Sequence, residues 1–187
     1  MHVVTHLLAG WTLAEQTKLD RRDKALVAWA SVAPDLDGIG LPVDWITRAL
    51  GHGTDFYETF HHVAFHGLPA AAVFTLLCLP FLHRKGIGVA LVFLSFHLHL
   101  LCDLAGSGGG NPGDIWPIHY FYPFSDRLLA WNGQWPLTSW QNTSITIALM
   151  AYALWIGVRR GYTPLALFSK GADARLVQVL RARFTSA

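Results

Sequence analysis

Two apolar runs of membrane length, separated by one basic turn, constrain this chain more than any other feature. Val63 to Leu82 holds twenty residues with no formally charged side chain, though it includes His66. As a helix it measures about 30 Å, the thickness of a bilayer core. His83-Arg84-Lys85 breaks the run, and Gly86 to Ala105 follows with similar length, carrying His97, His99 and Asp103 near its end. Ile145 to Val158 is a shorter third run ending at Arg159-Arg160, and it reaches spanning length only if Gln141 to Ser144 joins it. Charged residues make up only 14% of the 187, against roughly a quarter in a soluble domain. That deficit favours lipid over the alternative, a soluble helical bundle with an unusually apolar core. A disordered chain is excluded, and a net charge of +2 is too small and scattered for nucleic acid.

Two further helices are too short to span alone. Met1 to Gln16 carries apolar residues at 3, 4, 7, 8 and 11, an amphipathic stripe, and Lys24 to Ala33 is stopped by Pro34. The N-terminus lacks a basic leader, and its apolar stretch ends in Glu15 rather than a small-residue cleavage site, so no secretory signal is read there. Cys78 and Cys102 lie in apolar runs without metal-like spacing, which excludes a disulfide framework. Gly106 to Ser144 reads as a long irregular connection rich in Trp and Tyr, suited to a membrane interface or to a lid over a pocket. Residues 171–187 form a basic amphipathic tail, with Leu176, Val177, Leu180 and Phe184 on one face. The expectation is one domain over residues 1–187: an all-α, membrane-embedded antiparallel bundle with a long irregular loop after its fourth helix.

Following the chain up and down through these helices collects the polar residues. His2 and His6, then Asp35 and Asp37, then His61, His62 and His66, then His97, His99 and Asp103 all fall at one end of an antiparallel bundle. The basic clusters fall at the other. Residues four apart share a helix face, which pairs His2 with His6, His62 with His66, and His99 with Asp103. His97 points away from His99, and His119 and Asp126 read as surface residues of the loop. Mixed imidazole and carboxylate ligands suit zinc, manganese or iron, with zinc the common choice for hydrolysis. His6, Asp35, His66, His99 and Asp103 are the preferred ligands, with His2, His61 and His62 in reserve. Asp37 is the candidate general base or bridging carboxylate.

These residues resemble the YdjM-like family of membrane-bound metal-dependent hydrolases. The matching elements are His6, Pro34-Asp35-Leu36-Asp37, the His61 to His66 segment, His99-Leu100-Leu101-Cys102-Asp103 and Trp116-Pro117. The commoner family pattern has Arg and Thr-His-Ser where this chain has His62 and Phe65-His66-Gly67, which leaves open whether His61 or His62 is a ligand. A remoter likeness, to zinc-dependent phospholipases C, implies phosphoester chemistry. The resemblance implies an inner-membrane hydrolase acting on an ester or phosphoester, with membrane lipid and a small-molecule or lipid substrate as partners. Lys and Arg favour the cytoplasmic side, so the metal end is expected outside. The alternative of another class is a non-enzymatic haem-binding or metal-transport protein, which paired histidines on neighbouring helices would also serve.

Overall fold

The computed structural model describes residues 1–61, 63–111 and 113–184, and among them every regular element is helical. The first helix, α1 (Val3–Glu15), leads into α2 (Arg21–Ala30), whose N-cap Asp20 accepts hydrogen bonds from the Arg22 and Asp23 amides. Pro34 ends α2 and starts a 3-10 segment, Ala33–Ile39, that holds Asp35 and Asp37 in one tight turn. Two short helices then follow that the apolar pattern does not announce, α3 (Gly40–Ala49) and α4 (Phe56–Phe60). The buried Asp44 of α3 starts α4 by accepting from the amides of Phe56 and Tyr57, each at 2.9 Å.

The first long apolar run does not form one spanning helix. Gly67 is extended and Pro69 sits in the first turn, where its missing N–H costs nothing, so α5 begins only at Leu68. It runs Leu68–Cys78 and closes as a 3-10 turn, Leu79–Phe81. The second run is a continuous helix, α6 (Lys85–Gly106), and it is the one helix among the described residues long and apolar enough to cross a bilayer. The third run lies inside α7 (Trp140–Arg160), which ends at Gly161 with φ +81°, a conformation only glycine adopts without strain. The tail forms α8 (Lys170–Phe184), which buries Val177 and Leu180 against α7 and the preceding 3-10 turn.

Helix α1 is the hub, packed on α2, α6 and α7, while α5 packs on α6. Gly10 makes its closest crossing possible: a Cβ there would collide with the Ser31 side chain and come within 2.9 Å of Ser95 Oγ. Those two hydroxyls join the helices, Ser31 Oγ donating to His6 O and Ser95 Oγ to Val27 O, both at 2.7 Å. Apolar residues fill the bundle from end to end. Val27, Cys78 and Val92 pack at the basic end, and Ala71, Phe96 and Leu100 beneath the polar end.

The connection from Gly106 to Trp140 is knitted to the bundle, though it forms only isolated β-bridges. Buried Asn142 donates to the carbonyls of Gly106 and Leu137, and Gln134 donates to the Asp103 carbonyl at 2.9 Å. Trp116 faces a cavity while Trp131 and Trp140 are exposed, so this segment has the features of both an interface and a lid.

Candidate metal centre

Helices α1 and α6 and the Ala33–Ile39 turn converge on one buried point. His6, Asp35, His99 and Asp103 each offer a ligand atom there, all within 4.8 Å of one another. His6 and His99 are fully buried, and Asp103 nearly so. Their rings stack at 3.8 Å, and both Nε2 atoms approach Asp103, His6 at 3.1 Å from Oδ1 and His99 at 2.9 Å from Oδ2. Asp35 Oδ1 lies 3.7 Å from His99 Nε2.

Hydrogen bonds at the far side of each ring fix which nitrogen faces this point. His99 Nδ1 donates to the Ser31 carbonyl at 2.8 Å, so its Nε2 carries a lone pair inward. His66 Nδ1 donates to Asp37 Oδ2 at 2.9 Å, and its Nε2 stands 3.2 Å from that of His99 and 3.5 Å from Asp103 Oδ2. Beyond the 3.1 Å approach of its Nε2 to Asp103, buried His6 makes no well-aligned ring hydrogen bond, and Asp35 Oδ2 is buried without a partner, among the described residues. Lone pairs and carboxylates facing one point repel unless a cation or a proton lies between them. The donor set, imidazole nitrogen with carboxylate oxygen, fits zinc, manganese or iron.

The charge states carry the same message. Burial disfavours the His66 imidazolium, but hydrogen bonds to Asp103 and Asp37 outweigh it and push the pKa up to about 9. A proton on His66 thus offsets part of the carboxylate charge, and Asp103 Oδ1 also accepts from Ser107 Oγ at 2.7 Å and pairs with the Met1 ammonium. Burial alone would raise Asp37, yet the hydrogen bonds from His61 and His66 hold it well below the usual carboxylate range. Burial pushes Asp35 up; the His99 charge offsets this in part and the Asp103 charge reinforces it.

Several sequence expectations are redistributed. His2 is the exposed N-cap of α1, not a member of its helical face, and it lines the cavity mouth without joining the four. His61 caps the end of α4 and His66 lies in the turn before α5, so His66 is not on the helix that its pairing with His62 assumed. His62 lies outside the described residues. Asp37 lies outside the group of four, and its two oxygens accept from His61 Nδ1 at 2.7 Å and from His66 Nδ1. His97 turns away, bonded to Phe93 O and the Tyr120 hydroxyl, and Asp126 is exposed. Ser31 and Tyr57 were not legible as site residues: one acts through its carbonyl, the other sits on a helix with no apolar period. The remaining His/Asp group, Asp20, Asp23 and His83, is a joint, with Asp20 capping α2 and Asp23 accepting from the His83 and Arg84 amides.

A cavity of about 550 Å³ opens onto the centre, lined by Asp35, Asp103, His61, Tyr57, Trp116 and Leu137. Burial and the nearby carboxylates push the Tyr57 phenol up, so it stays protonated and able to donate. A family model described as YdjM inner membrane protein matches residues 1–177. No curated protein and no solved structure matches the chain.

Proposed function

Since the chain belongs to the YdjM family of inner membrane proteins, we propose that its buried centre is that of a metal-dependent hydrolase, with zinc the first choice of metal. The observation that carries this reading is the convergence of inward lone pairs and carboxylates beside an open cavity. A structural metal needs a closed ligand shell, whereas a catalytic one needs access for water and substrate. His6, Asp35, His99 and Asp103 would hold the metal, with His66 beside them as a further ligand. When bound, it supplies Lewis acidity to a water and to the scissile group.

The protein groups do the rest. His61 lines the cavity and donates an Nδ1 hydrogen bond to Asp37, which orients the ring for the role of general base toward an attacking water. Asp37 thereby positions both His61 and His66. The Tyr57 phenol can donate to an oxyanion or a leaving group. Trp116 and Leu137 give the cavity apolar walls, which favour an ester or phosphoester carrying an apolar portion, such as a lipid. The haem alternative fits less well: the His66 and His99 nitrogens stand 3.2 Å apart, with no room for a porphyrin between them.

Metal content and turnover, measured on detergent-purified protein, test this reading. Asp103→Ala should lose the metal, while His61→Gln should keep it and lose about 10²- to 10⁴-fold in hydrolysis of a chromogenic phosphodiester or ester. Metal retained in Asp103→Ala would remove the centre. Full metal with no hydrolysis of either substrate class in the wild type would remove the enzyme.

A further inference from the structure

The opposite end of the bundle holds a second cavity, of about 360 Å³, between α1, α2, the Pro164–Leu167 turn and the start of α8. Arg21, Arg22, Lys24 and Lys170 line it, against a single carboxylate, Glu15. That carboxylate is 2% exposed; its Oε2 is engaged by three donors, while its Oε1 is buried without a hydrogen-bond partner among the described residues. Lys24 Nζ approaches Oε2 at 3.0 Å, Arg160 at 2.8 Å, and the Tyr162 hydroxyl donates to the same oxygen. The nearby acidic groups are engaged elsewhere: Asp20 caps α2, Asp23 holds the His83 and Arg84 amides, and Asp173 holds the Thr163 amide and hydroxyl. Arg21, Arg22 and Lys170 therefore have no carboxylate within ion-pair distance among the described residues. Arg21 instead lies 5.1 Å over the Tyr162 ring, and Arg22 contacts His83.

The walls between these cations are apolar. Buried Trp11 forms the floor, with Ala25, Ala166 and Leu167 beside it. The apolar track continues outside, because Ala25 and Trp29 share a face of α2, and Trp29 is exposed edge-to-face with exposed Phe168 at 5.3 Å. A cationic rim over an apolar floor suits one anionic group attached to a hydrocarbon chain, and suits a free anion poorly.

We propose that this cavity binds the phosphate headgroup of an acidic phospholipid, with Arg21 and Lys170 as the principal contacts and the acyl chain along Trp29 and Phe168. It is a site apart from the metal centre. Glu15 and His6 lie nine residues apart on α1, about 13 Å of rise, and on opposite ends of the helix. The lipid bound here is a resident of the basic end and does not reach the metal.

Native mass spectrometry of the full-length, detergent-purified protein tests the site, using phosphatidylglycerol and phosphatidylcholine at equal concentration. Phosphatidylglycerol adducts should exceed phosphatidylcholine adducts by about tenfold. The double variant Arg21→Gln with Lys170→Gln should bring the two to parity. Both residues are exposed, so the fold should hold, which unchanged metal content would verify. Arg175→Gln with Arg183→Gln removes the same charge from exposed α8 positions and should leave the preference intact. Equal retention of both lipids by the wild type, or equal loss in the two double variants, would overturn the proposal. So would displacement of phosphatidylglycerol by equimolar inorganic phosphate, which would make the cavity a site for free anions.

Discussion

Asp37 bonds two histidines at once, so its replacement should act on the metal without removing a ligand. An asparagine can accept from only one imidazole, and its amide hydrogens oppose the Nδ1 proton of the other. His66 would then be free to change tautomer and turn its proton inward. Asp37→Asn should weaken metal binding by about 10- to 100-fold with the stoichiometry intact, read by competition against a chromogenic chelator. An affinity equal to wild type would show that the carboxylate positions nothing. His66 itself makes the binding depend on pH. With its pKa near about 9 in the metal-free protein, it must release one proton to present Nε2 to a cation. Apparent affinity should then fall about tenfold for each unit below that pH, and His66→Asn should flatten the slope. The sign for folding is opposite. A raised histidine pKa stabilises the metal-free fold fully below the ordinary value of 6.5, and that contribution is lost as pH rises through about 9. Thermal unfolding of the metal-free protein should therefore weaken across that interval, while the metal-loaded protein should not.

Helix α6 carries the part of the centre that was legible before any coordinates. His99 and Asp103 are one turn apart on a regular helix, and the spacing rule holds for them because nothing interrupts its hydrogen bonds. The same rule misplaces His66, since Pro69 delays the helix that the apolar run announces and leaves this histidine in the turn before it. The gathering of polar residues at one bundle end survives this error, because segment order, not local geometry, brings them together. Helices α3 and α4 lie outside the long apolar runs: α3 is short and amphipathic, and α4 is five residues started by Asp44, too short to show a period in the sequence. Nor does sequence show the fit of α1 on α2 and α6, which rests on a missing side chain at Gly10. Gly10→Ala should push Ser31 away from His6 O and tilt the carbonyl that orients His99. A destabilisation of about 1–3 kcal/mol by chemical denaturation is expected, together with weaker metal binding. Loss of stability with unchanged affinity would uncouple the helix crossing from the centre.

Across the described residues, the outward faces of the longer apolar helices remain apolar. Ile87, Leu94 and Leu101 repeat every seven residues along α6, Val73, Leu76 and Leu77 share a face of α5, and Ile147, Met150 and Leu154 share one of α7. Such stripes are rare on a protein surrounded by water and ordinary on one surrounded by lipid, in keeping with a family of inner membrane proteins. Among the described residues only α6 is both long and apolar enough to cross, about 33 Å for 22 residues, so the orientation of the molecule is read from the orientation of this helix. Arg84 and Lys85 stand at its start and Arg159-Arg160 close α7, so the preference of basic residues for the cytoplasmic side predicts the basic end inside and the metal centre outside. Gly86 lies in the first turn of α6 and Gly110 just beyond its end, and a side chain at either meets open space. With Cys78 and Cys102 replaced by alanine, Gly110→Cys should react with an impermeant maleimide in intact cells with a permeable outer layer. Gly86→Cys should react only after the membrane is opened. The reverse pattern would put the metal centre in the cytoplasm, where its substrate would have to come from the inner leaflet. Labelling of both from one side would mean that α6 does not cross, and that the apolar stripes rest on the membrane surface instead.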